Sequence, residues 1–243
     1  MKGLTKVVRR VDPRPRHQQI AAELRAEIMS GDMKAGEQLP STAHLVARFD
    51  AANATIQRAL QALKDEGFVR GHPGKGVFVR DRKAFVVDAT PYKSPAPHGY
   101  SYELLHVGEL RPPNDVASAL GLDDGLAVVR HRLLLHDGEP VELSWSYYPL
   151  TIAAGSPLAG RKKIRGGAPQ ALAELGFPQR RFVDHISTRQ PTPDEVEGLN
   201  LPTDVPVFRQ FRVIYTDAGR PVEASILIKG GHLYELEYRQ PIS

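Results

Sequence analysis

The stretch LPSTAHLVARFDAANATIQRALQALKDEGF, residues 39–68, decides the fold of the first third of the chain. Its apolar residues recur at helical spacing in two segments: one begins at Pro40-Ser41, and the other spans about residues 52–66 and ends at Gly67. Ser41 is suited to cap the first of these helices. Residues 17–30 have the same period and end at Gly31. The pattern therefore predicts three helices, of which the last two form a helix-turn-helix that can enter a DNA major groove.

A predicted hairpin follows the helices directly. Residues 68–70 and 77–80 are rich in residues that favour strands, and the loop GHPGKG joins them at residues 71–76. Glycine allows main-chain N–H groups to approach a phosphate closely, and Lys75 adds a positive charge. The loop is therefore predicted to lie along a sugar–phosphate backbone.

Charge divides the chain unevenly. Residues 1–83 contain 16 Lys and Arg against 9 Asp and Glu, whereas residues 84–243 contain 16 against 19. A basic first third indicates a polyanionic partner, although a solvated basic surface has the same composition. The absence of cysteine excludes disulfides and thiolate metal sites. With no apolar run long enough for a membrane span and no secretory signal, the cytoplasm is the expected location.

The remaining sequence predicts a second domain with an α+β fold. Residues 81–98 contain three prolines and are predicted to form a linker, with a short strand at residues 85–87. Strands are predicted at residues 100–110, 126–136, 141–148, 181–189, 207–215, 222–228 and 233–238, and helices at residues 114–120, 168–175 and 194–199. This order favours a mainly antiparallel sheet with short helices. We therefore expect a DNA-binding domain over residues 1–80, a linker over 81–98 and an effector-binding and dimerisation domain over 99–243. Two similar turns, at residues 136–140 and 216–221, hint at an internal duplication.

The first domain resembles the winged helix-turn-helix of the GntR family over about residues 16–80. The matching positions include Gln18–Ala21, Leu24-Arg25, Gly31, Leu39–Ser41, Ala54–Ile56, Leu60, Leu63, Glu66-Gly67 and Gly74–Val79. The resemblance implies a set of DNA-contacting residues in the helices and the hairpin: Ser41, Asn53, Thr55, Gln57, Arg58, His72, Gly74 and Lys75.

Three positions depart from that family. Ala43, Asn53 and Gln57 stand where members usually have arginines. Asn and Gln suit bidentate contacts with adenine, whereas arginine suits guanine. Either the DNA site is richer in A·T pairs at these steps, or Asn53 and Gln57 contact phosphates. Arg58 is either a DNA contact or a solvated surface charge.

The second domain resembles the UTRA effector domain of the HutC subfamily, which has a chorismate-lyase-like fold. The matching segments are residues 130–132, 137–140, 146–149, 199–207 and 219–223. The resemblance implies a small-molecule effector site built from Arg130, Arg132, Ser144, Tyr147 and Glu223. The family often has glutamate where Ser144 stands and a basic–Gly–Asp–Arg stretch at residues 229–232, so the identity of the effector is left open.

Arg130 and Arg132 are two residues apart on a predicted strand and so project from the same face. Two guanidinium groups on one face can clamp an anion. Alternatively, one of them is a structural arginine paired with Glu142 or Glu223. Both hypotheses follow from the sequence.

No pattern typical of an enzyme was found. The nine histidines form no H-x-x-x-H pair, and neither a G-x-S-x-G elbow nor a P-loop is present. We therefore predict no catalytic residue, metal or cofactor. The predicted function is a transcription regulator, a homodimeric repressor that binds an inverted repeat in double-stranded DNA and responds to a small anionic effector. The alternative is a dimeric repressor without an effector, for example one that controls plasmid transfer, whose second domain serves only dimerisation.

Overall fold

Three helices and a hairpin form the first part of the computed structural model, which describes residues 12–81, 85–88, 99–122 and 125–237. The elements are α1 (Arg16–Ser30), α2 (Thr42–Phe49), α3 (Asn53–Asp65), β1 (Val69–His72) and β2 (Gly76–Val79). The chain separates into two units, Met1–Lys83 and Ala84–Ser243. No helix in the described ranges is long and apolar enough to cross a membrane.

The first unit is held together by the apolar faces of its three helices. Ile20 and Leu24 of α1, Leu45 of α2, and Ile56 and Leu63 of α3 are all fully buried in one core. The predicted cap of α2 is present, since the Ser41 side chain accepts a hydrogen bond from the His44 amide. The hairpin packs beside the turn before α2, where an isolated bridge joins Gln38 to Phe78. The predicted winged helix-turn-helix is therefore confirmed.

The second unit is built on a six-stranded antiparallel sheet, as predicted. Its elements are β3 (Phe85–Asp88), β4 (Tyr100–Leu110), α4 (Asn114–Leu120), β5 (Ala127–His136), β6 (Glu139–Pro149), α5 (Leu150–Ala153), a 3-10 turn (Pro157–Ala159), α6 (Gly167–Glu174), β7 (Arg181–Arg189), α7 (Pro193–Leu199), β8 (Val207–Tyr215), β9 (Pro221–Gly230) and β10 (Tyr234–Glu237). The strand order is β4-β5-β6-β9-β8-β7, and all neighbours are antiparallel. The strand predicted inside the linker is β3, which pairs in parallel with β10 and so ties residues 85–88 to the second unit.

The sheet consists of two similar halves. Each half has the order strand, helix, strand, tight turn, strand, first as β4-α4-β5-β6 and then as β7-α7-β8-β9. The two halves meet where β6 pairs with β9. Just after the two tight turns, the sequences PVELS (residues 140–144) and PVEAS (residues 221–225) start β6 and β9. The fold therefore supports the internal duplication that the two turns hinted at.

The two faces of the sheet are covered by different helices. On one face, Tyr148 and Ile214 pack against Ile152 of α5, Leu158 of the 3-10 turn and Leu172 of α6. On the other face, α4 and α7 cover the central strands, where apolar side chains form two further clusters. Because the first set of helices covers only one end of its face, polar side chains can line the rest of that face.

Candidate DNA interface and effector site

Helix α3 is the element most suited to enter a DNA groove. Its apolar residues face the core, which leaves Asn53, Gln57 and Arg58 exposed and Thr55 half-buried. The helix starts after Ala52, which supplies no side-chain cap, and its first turn contains no acidic residue. The amides of this turn are therefore suited to bind a phosphate, because unpaired N–H groups and the helix dipole both favour an anion.

Two of the predicted contact residues already have partners on α2 or at its start. The Gln57 side-chain amide donates to the Thr42 hydroxyl at 3.3 Å. Ser41, which is exposed, accepts the His44 amide at 3.3 Å as the cap of α2. A Gln57 held in this way is oriented before DNA arrives. The Ser41 hydroxyl accepts the cap bond and still has its proton to donate to a phosphate.

The tip of the hairpin is shaped by glycine and held by a side chain from outside it. Gly74 has φ 71° and Gly76 has φ 110°, a backbone conformation that L side chains rarely adopt. The Lys75 amide donates to the His72 carbonyl at 3.0 Å, and the Gln38 side chain donates to the Lys75 carbonyl at 2.7 Å. These bonds leave the Lys75 ammonium exposed at the tip. The His72 ring instead packs edge-on against Phe78, with centroids 5.1 Å apart, and supports the hairpin.

In the second unit, one sheet face gathers polar side chains from the two halves. Strand register places Arg130 opposite Ser146, Arg132 opposite Ser144, and Ser146 opposite Ser225. Because these residues alternate along β5, β6 and β9, they all project from the same face. This face borders a cavity of about 200 Å³. Its lining residues are Tyr102, Arg132, Leu134, Glu142, Ser144, Ser146, Arg212, Glu223, Ser225 and Leu227.

A second cavity, of about 270 Å³, shares Tyr102, Arg132 and Glu223 with the first. Arg130 also lines it, and so do residues at the start of α6, including Gly167 and Ala168. Helix α6 begins with no side-chain cap and no acidic residue in its first turn. The two cavities together therefore bring guanidinium groups, the N-terminal end of a helix and a carboxylate into one site.

A chain of hydrogen bonds connects Arg132 to Glu223. Arg132 Nη2 donates to Ser146 Oγ at 2.5 Å, Ser146 and Ser225 are hydrogen-bonded at 2.8 Å, and Ser225 Oγ donates to Glu223 Oε1 at 2.8 Å. Because Ser225 donates its single proton to the carboxylate, Ser146 is the donor in the serine pair. Glu223 is only 2% exposed, and its other oxygen accepts from the Gln179 side chain at 2.9 Å. The carboxylate is thus oriented by two donors in a buried position.

Arg130 has a structural contact of its own. Its Nη1 donates to the Leu158 carbonyl at 2.9 Å and to the Gly160 carbonyl at 2.6 Å. The residue is 2% exposed, and burial lowers the pKa of its guanidinium, an effect to which the nearby charge of Arg132 adds. Arg130 therefore holds the segment after the 3-10 turn against the sheet.

The duplicated halves differ in how their charges are paired. By the alignment of PVELS with PVEAS, Glu142 corresponds to Glu223 and Ser144 to Ser225. Arg132 corresponds to Arg212 by strand register, because Arg132 lies opposite Ser144 and Arg212 lies opposite Ser225. Lys229 forms an ion pair with Glu142 at 2.8 Å. In the second half of the sheet, Asp184 forms an ion pair with Arg212 at 2.6 Å, and both side chains are nearly buried. Glu142 therefore has a lysine of β9 as its ion-pair partner, and the pairing of an arginine of β5 with Glu223 stays a hypothesis.

Two family models match this chain. Residues 97–235 match the UTRA domain, and residues 16–79 match the gntR family of bacterial regulatory proteins. The chain belongs to the GntR family, in its UTRA-domain (HutC) subfamily. It is a DNA-binding transcription regulator with an effector-binding domain, and this family is one of regulators rather than enzymes.

Individual relatives agree with this assignment. The chain is 28% identical over 254 residues to an uncharacterised HTH-type transcriptional regulator of Streptomyces coelicolor, covering 92% of each protein. It is 32% identical over 129 residues to the histidine utilization repressor of Klebsiella aerogenes, covering 51% of this chain and 53% of that one. The crystal structure of PhnF from Mycobacterium smegmatis has the same fold, with a TM-score of 0.56 and 23% identity over 92% of this chain and all of that one.

The structure of this GntR–UTRA regulator brings four of its five predicted effector residues to one face of the sheet, and the fifth, Tyr147, lies elsewhere. Tyr147 lies on the opposite face of the sheet, in the core formed with α4. Burial, and to a lesser extent the charge of Asp115, raises the pKa of Tyr147 to about 12. The physical reason is the alternation of a strand, since a residue next to Ser146 must face the other way. Tyr147 is a core residue here.

Sequence reasoning missed several residues of the site. The short segments that carry the UTRA resemblance include Ser146 without giving it a role, and they include neither Ser225 nor Gln179. The repeated P-V-E-x-S sequence could have indicated Ser225, because it is the counterpart of Ser144. Nothing in the sequence around Gln179 indicates that it contacts Glu223, which lies 44 residues further along the chain.

Proposed function

We propose that this regulator is a repressor that binds an inverted repeat as a homodimer and responds to a small anionic effector. The observation that carries the proposal is the pair of cavities lined by both Arg132 and Glu223. We place its action in the cytoplasm, where a bacterial operator lies. Residues 1–80 would bind DNA, and residues 99–243 would bind the effector and form the dimer.

The anionic group of the effector is assigned to the side of the site where Arg132 faces the start of α6. A guanidinium forms strong charge-assisted hydrogen bonds with carboxylates and phosphates. The first turn of α6 adds the Ala168 amide and the positive end of a helix dipole. Its other two residues add no free N–H group, because the Gly167 amide donates to the Ile164 carbonyl at 3.0 Å and Pro169 has no N–H. Arg130 also lines this side, but its contacts with Leu158 and Gly160 give it mainly a supporting role.

The other end of the effector is assigned to Glu223. A buried carboxylate accepts hydrogen bonds and donates none, so it favours a hydroxyl or an amine over a second anion. The hydrogen-bonded serines between Arg132 and Glu223 set the distance between the two ends of the effector. A compact molecule with one anionic group and at least one donor group therefore matches the site.

The test of effector binding uses Arg132→Ala, with Arg180→Ala as a control that removes an exposed arginine outside the cavities. Phosphorylated sugars and small carboxylates are screened by thermal shift, and hits are added to operator-binding assays. Arg132→Ala should abolish the response to a hit while it leaves operator affinity without effector nearly unchanged, and the control should respond normally. If no compound of either class stabilises the wild-type protein, the alternative without an effector is favoured.

The test of operator binding uses DNA from upstream of the gene. The basic first unit and its single groove-facing helix predict that two copies bind two half-sites. Affinity should fall steeply between about 50 and 200 mM salt, because several phosphate contacts release counterions. Sedimentation of the complex gives its stoichiometry. A monomer that binds tightly, or an affinity that does not depend on salt, would contradict the proposal.

A further inference from the structure

A strongly basic segment lies between the 3-10 turn and α6, and none of its cations lines either effector cavity, although Ile164 within it lines the second one. Residues 161–165 have the sequence RKKIR, with four cations in five positions. All four cationic side chains are exposed, and all of them line one open cleft of about 880 Å³. Across the described part of the chain, none of the four forms an ion pair.

This segment is anchored to the sheet. Before it, Arg130 holds the carbonyls of Leu158 and Gly160. Within it, Ile164 packs against the core beneath α5 and α6. After it, Gly166 and Gly167 have φ 71° and 78°, which turns the chain into α6. The four cations therefore project from a turn that is held in place at both ends. The turn keeps the cationic side chains close together, so their charges repel one another.

The cleft differs in chemistry from the central cavities. Its only acidic lining residue is Glu174, which accepts a hydrogen bond from Gln170 at 2.8 Å. In the first central cavity, by contrast, the arginines share the lining with two carboxylates, Glu142 and Glu223. A cleft with four cations and one carboxylate attracts a multiply charged anion, and its volume is large enough for more than one phosphate group.

We propose that the cleft lined by residues 161–165 is a second anion site, which adjoins the second effector cavity at Ile164 and binds consecutive phosphate groups. Such phosphates occur in a nucleic acid backbone and in free oligophosphates, and both present closely spaced negative charges. The site goes beyond the proposed function, because neither operator recognition by α3 nor effector binding at Arg132 requires it.

The test compares three full-length proteins: the wild type, the double variant Lys162→Gln/Lys163→Gln, and the matched control Arg180→Gln/Arg181→Gln. Both variants lose two exposed charges of the same unit, and both keep the helix-turn-helix intact. Tripolyphosphate binding is measured by calorimetry, and binding to a duplex without the operator is measured by fluorescence anisotropy over a range of salt. The emission of Trp145 verifies that each variant is folded.

If free oligophosphate is the ligand, the Lys162/Lys163 variant should bind tripolyphosphate about tenfold more weakly than the control does, with unchanged DNA binding. If the nucleic acid backbone is the ligand, this variant should lose DNA affinity, and its salt slope should fall by about 1.8, which is about 0.9 for each lost phosphate contact. Equal behaviour of the two variants with both probes would overturn the proposal.

Discussion

Replacing Arg130 with alanine should destabilise the second unit by about 2–4 kcal/mol. The guanidinium makes two hydrogen bonds, to the Leu158 and Gly160 carbonyls. A hydrogen bond with a charged partner contributes about 1.5–3 kcal/mol. Burying the guanidinium opposes part of this gain, since desolvation of a buried charge is costly. Alanine relieves that cost but leaves two carbonyls without their donor, so the net effect is a loss.

Unfolding of the second unit can be followed without interference from the first. The chain contains one tryptophan, Trp145, which lies on β6 and stacks on His131 with ring centroids 4.3 Å apart. Its fluorescence therefore reports on the sheet that Arg130 supports. For a domain of this size, 1 kcal/mol corresponds to about 2–4 °C in Tm, so Arg130→Ala should lower the Tm by roughly 10 °C.

Arg132→Ala is the control for this prediction. Arg132 is less buried than its neighbour and donates to the Ser146 hydroxyl. Its loss should cost about 1.5 kcal/mol, the lower end of the range for one hydrogen bond with a charged partner, because Arg132 is less buried and makes one such bond to Ser146 where Arg130 makes two. If Arg130→Ala melts at the wild-type temperature, or if Arg132→Ala is the more damaging of the two, then the division into a supporting arginine and a ligand-binding arginine is wrong.

Three further predictions concern DNA recognition and stability. Asn53→Ala and Gln57→Ala should relax base preference in a selection from randomised half-sites, whereas Lys75→Ala should lower the affinity for all DNA sequences about equally. An unchanged base preference in both helix variants would indicate that these residues contact phosphates. Glu66→Ala should destabilise the first unit by about 2–3 kcal/mol, because this 7%-exposed carboxylate accepts two 2.6 Å hydrogen bonds from Arg25 of α1. Urea unfolding followed by circular dichroism measures the loss. A loss no larger than that caused by removing an exposed glutamate would contradict this prediction. Because burial raises the pKa of Tyr147 from 10.0 to about 12, the unfolded chain loses this proton first, so stability should fall as the pH rises across that range. Tyr147→Phe should remove part of this slope in urea titrations monitored by tryptophan fluorescence, and an unchanged slope would argue against the burial effect.

Much of the local structure could be predicted from the order of residues. Apolar spacing placed the three helices of the first unit because each helix is long enough for its period to be recognised. Alternation along β5 placed Arg130 and Arg132 on one face for a similar reason. Helix α5 and the 3-10 turn were not predicted, because four and three residues are too few to show a period.

The role of each polar residue in the site could not be predicted in the same way. Both arginines of β5 have the same residue type and the same face, so the sequence left open which of them is structural. Arg130 contacts carbonyls 28 and 30 residues further along the chain, and Ser146 meets Ser225 at a separation of 79. The contacts of Arg130 form only when the 3-10 turn packs on the sheet, and the serine contact forms only when β6 pairs with β9.

The sequence by itself determined the family, the winged helix-turn-helix and the antiparallel second domain, because these depend on short-range periodicity and on motifs that lie close together in the chain. Only the tertiary structure decided that Lys229 neutralises Glu142, that Tyr147 belongs to the core and that Glu223 is oriented by Ser225 and Gln179. The physical reason is that charge pairing and hydrogen bonding depend on distances of about 3 Å. Such distances between residues far apart in sequence are set by strand register and packing, which no local pattern encodes.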